Sequence, residues 1–124
     1  MVNTAVIMGR LTADPELRTT RSGISSCSFT VAVERDYVVK GEKRQVDFID
    51  VLSWRNTAEY VCRNFRKGEM IAVQGAIQTR TYEDKNGYKR KATELIADNV
   101  SFCGSSGRSA PETENIPEYT DIPE

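Results

Sequence analysis

One stretch of this 124-residue chain breaks the period of its apolar residues. Between Asn56 and Gly68, the residues Ala58, Val61, Cys62 and Phe65 recur at the i, i+3, i+4, i+7 spacing of a helix with one buried face. On either side the period is two, as in strands whose side chains alternate between faces. The spacing predicts a helix capped by Asn56, with Glu59 three residues on completing a capping-box pattern. Gly68 is expected to end it after Arg66 and Lys67, whose charge suits the negative end of the helix dipole. A chain with one helix set among strands has to build its core from sheet.

The clearest strand alternates Cys27, Phe29, Val31 and Val33 with Ser26, Ser28, Thr30 and Ala32, giving one core face and one small polar face. Before it, residues 4–12 read as a first strand in which Gly9 marks a bulge or a close approach of another backbone. Asp14-Pro15-Glu16 breaks that strand, and Leu17 to Gly23 reads as a short loop or hairpin arm with Arg18 and Arg21 exposed. A third strand leads into the helix. Beyond the helix, Ile71, Val73 and Ile77 share one face and Gln74, Gln78, Arg80 and Tyr82 the other, before Asn86-Gly87 closes a hairpin that returns to Val100. The order strand, strand, strand, helix, strand, strand is that of an all-β, five-stranded Greek-key OB-fold barrel with one α-helix between the third and fourth strands. That fold binds oligonucleotides or oligosaccharides on its sheet face and long loops, and order alone does not choose between them.

The third strand narrows the choice. Ile49 and Val51 point one way while Phe48, Asp50, Leu52 and Trp54 point the other, so both faces carry apolar groups. The second face also carries Asp50, with Arg55 and Lys67 close by, which suits a wet binding surface better than a second core. Tyr37, Phe48, Trp54 and Tyr82 all stand outside the core pattern, and each has basic neighbours: Arg35 and Lys40, Arg44, Arg55, and Arg80 with Lys85. Such rings stack on unpaired bases for about 1–3 kcal/mol per base, whichever base it is. Ordinary packing is the competing reading for any single ring. Asp50 runs against the assignment, since its charge repels phosphate; that spot is expected to face a base edge or a neighbouring cation.

Composition removes most alternatives. With no histidine, the chain lacks the commonest general base and metal ligand. Asp47 and Asp50 fall on opposite strand faces and Glu83-Asp84 belongs to a turn, so no carboxylate dyad is expected, and neither is a cofactor or metal. Cys27, Cys62 and Cys103 are odd in number and widely spaced, which argues against a disulfide framework or zinc site and reads as reduced, packed thiols. No membrane span or signal peptide is evident, and a cytoplasmic location is the default. Of the 18 acidic residues, five (Glu112, Glu114, Glu118, Asp121, Glu124) lie after residue 108, leaving 13 against all 17 basic ones in the body. A basic body with an acidic tail suits a nucleic-acid binder that recruits partners. The domain reading is residues 1–104 as the barrel and 105–124 as a flexible, disordered acidic tail.

The chain resembles the bacterial-type, or phage-encoded, single-stranded DNA-binding proteins. The resemblance runs through VIMGRLTADPELRTTRSG at 6–23, FTVAVER at 29–35, DFIDVLSWRNTAE at 47–59, FRKGEMIAVQGAIQTRTYED at 65–84 and the Asn86-Gly87 hairpin. It implies a non-catalytic OB-fold protomer, usually a homotetramer, that wraps single-stranded DNA with little sequence preference. By motif position, Tyr37, Phe48, Trp54 and Tyr82 sit where that family places its base-stacking rings, and Arg10, Arg18, Lys67 and Arg80 where it tends to place backbone contacts. Arg35 and Arg55 join the candidate DNA-binding set as cations beside the rings. The resemblance further implies a nucleoid-associated role in replication, recombination and repair, with an acidic tip that docks on replication and repair proteins. Here Glu118, Asp121, Ile122, Pro123 and Glu124 are the candidate partner-binding residues, although the family's terminal Pro-Phe is replaced by Pro123-Glu124. An RNA-binding OB module, or a recruitment adaptor acting mainly through the tail, are the alternatives.

Overall fold

The computed structural model describes residues 1–103; the tail, with its partner-binding candidates, lies outside the described residues. Six strands and one helix follow in the order β1 (Ala5–Leu11), β2 (Glu16–Thr19), β3 (Ser25–Glu34), β4 (Val46–Trp54), α1 (Arg55–Asn64), β5 (Met70–Glu83) and β6 (Lys89–Phe102). They hydrogen-bond in the order β1-β5-β6-β4-β3-β2, and a further β1–β3 pairing closes the ring. Only β4 and β6 run parallel. The five anticipated barrel strands are β1, β3, β4, β5 and β6, with α1 between the third and fourth of them, as in an OB-fold. The sixth, β2, comes from the segment read as a loop or arm; it pairs with the outer edge of β3 and all four of its residues are exposed.

Closure depends on a missing side chain. A Cβ on Gly9 would sit 2.2 Å from the Ala32 carbonyl oxygen, so only glycine lets β1 cross onto β3 there. Arg10 and Leu11 then pair with Ala32 and Val31. Gly75 plays the same part on the far side, where its Cβ would lie 1.9 Å from the Ile96 oxygen, beside a bulge that leaves Asp98 as the extra residue of β6.

Inside the ring, Leu11, Cys27, Phe29, Val31, Val51, Ile71, Val73, Leu95 and Ala97 form the core, and α1 covers it with Ala58 and Val61, joined by Phe65 just past its end, all buried. Phe65 also stacks on Phe102 with ring centroids 4.6 Å apart. Each large core side chain contributes about 1.5–3 kcal/mol by leaving water.

The helical face is the one read from spacing, but the start of the helix differs. Trp54, at φ −129° and ψ 152°, occupies the N-cap position with no side-chain cap, so Asn56 is already within the first turn. Glu59 therefore completes no capping box; its carboxylate accepts a bond from Ser25 Oγ at 3.1 Å. The cause is that β4 passes into α1 with no loop, the turn being made by Arg55 at φ 56°. At the other end the helix stops at Asn64, before Gly68, and Arg66 donates to the carbonyls of Cys62 (2.7 Å) and Phe65 (2.8 Å), satisfying two orphan acceptors.

Candidate nucleic-acid interface

Register decides which side chains share the outside of the barrel, because paired residues of neighbouring strands point the same way. On β3 and β4 the outward rows are Ser26 with Trp54, Ser28 with Leu52, Thr30 with Asp50, and Ala32 with Phe48. Pairing with β2 adds Arg18 to the Ser26–Trp54 row. Pairing with β1 adds Arg10 to the Ala32–Phe48 row. The two β4 rings thus lie six residues apart on one strand face, about 20 Å at strand rise, with a cation in each of their rows and Asp50, Leu52, Thr30 and Ser28 between.

The face continues onto the hairpin. Leu52 pairs with Ile96 and Ile96 with Ala76, so Gln78, Arg80 and Tyr82 of β5 follow on the same side. Trp54 and Tyr82 are 40% and 45% exposed, Tyr37 in the β3–β4 loop is 75% exposed, and Phe48 is half-buried. Exposure alone does not set these rings apart, since Tyr88 is 66% exposed; what does is that Trp54, Phe48 and Tyr82 share one face.

The cations are mostly engaged. Arg35 makes two bonds to Asp47, both 2.9 Å, and a third to Gln45 at 2.7 Å. The Arg35 guanidinium holds the Asp47 carboxyl below its ordinary value, while Asp47 raises Arg35. Arg80 pairs with Glu94 at 3.1 Å and lies 5.3 Å from the centroid of the Tyr82 ring, stiffening that ring by a cation–π contact. Arg18 meets Glu16 at 3.7 Å. Arg10 donates to the Gly68 carbonyl at 3.0 Å, which brings it beside Lys67, whose own backbone N–H is held by Asp14 at 2.8 Å. Arg55 stands at the β4–α1 turn immediately after Trp54.

Asp50 is exposed as its strand position implied, but among the described residues its carboxylate is met by the Thr30 hydroxyl, which donates to Oδ1 at 3.0 Å, and not by a cation. Glu94 and Arg90 were missed by sequence reasoning. Counting back from the Asn86-Gly87 turn would have found Arg90, since the register sets it opposite Tyr82. Its guanidinium holds Asp84 at 2.9 Å, and Asp84 also takes the N–H groups of Asn86 and Tyr88, so this carboxyl too lies below its ordinary range. A groove between α1 and the β6 bulge, lined by Tyr60, Arg63, Asp98 and Asn99 among others, contains none of the candidate residues.

The chain is 42% identical over 118 residues to the single-stranded DNA-binding protein of Caldanaerobacter subterraneus subsp. tengcongensis, covering 92% of this chain and 79% of that protein. Single-stranded DNA-binding protein 1 of Staphylococcus aureus is 44% identical over 102 residues, covering 82% of this chain and 65% of the relative. For single-stranded DNA-binding protein 2 of Listeria monocytogenes the identity is 43% over 102 residues, covering 82% and 64%. The chain therefore spans slightly less than two thirds of these last two proteins. Residues 2–103 match the model of the single-strand binding protein family, a family of non-enzymatic DNA-binding proteins, and the chain belongs to it.

Proposed function

We propose that this chain binds single-stranded DNA with little sequence preference, stacking bases on Trp54, Phe48, Tyr37 and Tyr82 and meeting phosphates with Arg10, Arg18, Arg35, Arg55, Lys67 and Arg80. The observation that carries the reading is the continuous outer face of β3, β4 and β5, where exposed rings and cations share cross-strand rows. Stacking accepts every base, whereas phosphate contact ignores sequence altogether. In keeping with its family and with relatives named for single-stranded DNA binding, the protein protects exposed strands during replication, recombination and repair and assembles as a homotetramer. Through Glu118, Asp121, Ile122, Pro123 and Glu124 it recruits partner proteins.

Trp54 is the sole tryptophan, so its fluorescence reports the contact directly. Titration with oligo-dT should quench it, and affinity should fall with salt at a logarithmic slope of about −0.7 per phosphate contacted. Tight duplex binding without quenching by oligo-dT would overturn the reading; preference for a matched RNA oligomer would move the function to RNA.

A further inference from the structure

We propose that Cys27 and Cys62 form an oxidative modification site, converted by hydrogen peroxide into a disulfide that ties α1 to β3. The two sulfurs lie 3.1 Å apart, with the Cys62 thiol donating to Cys27 Sγ. That is about 1 Å longer than a disulfide bond, so closure needs little movement. The approach is fixed from both sides. Cys27 is buried in the core on β3 opposite Ser53, while Cys62 follows Val61, which with Ala58 and Phe65 anchors α1 on the barrel. Neither thiol belongs to the proposed DNA-binding face, and the proposal does not depend on the ligand.

The two cysteines differ in access, which orders the chemistry. Cys27 is 1% exposed, and burial, reinforced by Cys62, pushes its thiol up to about 12, so it is a poor first nucleophile. Cys62 is half-buried and meets the oxidant first. Its sulfur attacks one peroxide oxygen, the O–O bond breaks, and sulfenic acid and one water result. The Cys27 sulfur then attacks the sulfenic sulfur; the S–S bond forms, and hydroxide leaves with the Cys27 proton as a second water. Two thiols and one peroxide become one disulfide and two waters. The cross-link closes a loop that contains all of β4, with Phe48 and Trp54, and so resists opening of that segment.

Cys103 provides an internal control, since it lies just past the end of β6 and its thiol donates to the Ser101 carbonyl, at 3.9 Å, and not to another sulfur. The reduced full-length chain is treated with hydrogen peroxide, denatured, alkylated with iodoacetamide and weighed intact. The oxidised chain should be lighter by two hydrogens before alkylation and should take one label, at Cys103, where the reduced chain takes three. Its melting temperature should rise by about 10 °C and return on reduction. Cys103→Ser should keep the disulfide, and Cys62→Ser should lose both the mass change and the thermal shift. Cys62 halted at sulfinic acid with Cys27 still labelled, or oxidation yielding only Cys103-linked dimers, would overturn the proposal.

Discussion

Replacing Gly9 by alanine tests whether barrel closure rests on one absent methyl group. The new Cβ would meet the Ala32 oxygen at 2.2 Å, the Ala32 carbonyl carbon at 2.9 Å and Val31 Cγ1 at 2.9 Å. The oxygen belongs to β3, which is held on its other side by a nine-pair ladder with β4, so β1 must yield by about 1 Å. That shift breaks the two bonds from Thr12, backbone N at 3.1 Å and Oγ1 at 3.3 Å, to the Thr30 carbonyl. It also loosens packing around Leu11 and Val31, which are 1% and 0% exposed. Two bonds at about 1 kcal/mol each and a partial void of similar cost, less the entropy that alanine removes from the unfolded chain, give a net loss of about 2–3 kcal/mol. Urea unfolding followed by Trp54 fluorescence measures it. Gly23→Ala is the control: at φ 83° with nothing within 4 Å, it carries backbone strain alone, about 1 kcal/mol. If Gly9→Ala unfolds at the wild-type midpoint, or later than Gly23→Ala, the closure argument fails.

Trp54→Ala should weaken oligo-dT binding about tenfold or more while leaving the circular dichroism spectrum native, whereas Val31→Ala should lose roughly 2 kcal/mol of stability with little direct effect on binding; unfolding in both would show that Trp54 is core. Arg55→Gly relieves a left-handed residue and should cost no stability by chemical denaturation, yet reduce DNA affinity through loss of the cation; a marked drop in midpoint would refute the strain assignment. Because the folded-state values of Asp47 and Asp84 are depressed, the stability they supply is present above the ordinary carboxylate value of 3.8 and is lost as pH falls through the lower folded values. Thermal melts from pH 5 downward should show that loss, and Asp84→Asn should flatten it. Asp50→Asn should raise affinity for oligo-dT about threefold, the effect of removing one like charge about 7 Å from a phosphate in water; unchanged or weaker binding would show that the carboxylate does not oppose the strand.

What the sequence alone reveals follows from which features are periodic. The faces of β3 and β4 were legible because each alternates one buried side chain with one outward one, and the Asn86-Gly87 turn because Gly87 supplies the positive φ, 81°, that a tight hairpin needs. Gly9 was legible as an anomaly in a strand, although its partner, the Ala32 carbonyl, was not. Strand β2 escaped because none of its residues is buried, so it has no alternation to detect. The helix start escaped because capping patterns assume a loop before the helix, and β4 leaves none. Ion pairs such as Arg80–Glu94 join residues 14 positions apart, which only the register of the hairpin brings together.

Those pairs change how the face attracts DNA. In the structure Arg80 and Arg18 already meet a carboxylate, and so does Arg35, whose partner Asp47 lies on the other side of β4 from Phe48 and Asp50. The Arg18–Glu16 and Arg35–Asp47 pairs are exposed on both sides and contribute little to stability, so a phosphate can displace those carboxylates at small cost, whereas Glu94 is only 17% exposed and is held more firmly. The exchange nevertheless returns a carboxylate to water while it gains a phosphate, so the electrostatic gain is less than for an unpaired cation. Asp50 follows the same logic from the other side, since the Thr30 hydroxyl satisfies one of its oxygens without neutralising its charge. The electrostatic part of binding is thereby moderated, and the rings supply a larger share of the affinity. A surface organised this way can hold a strand by stacking yet release it when salt, or another protein's basic groups, compete for the same carboxylates and phosphates.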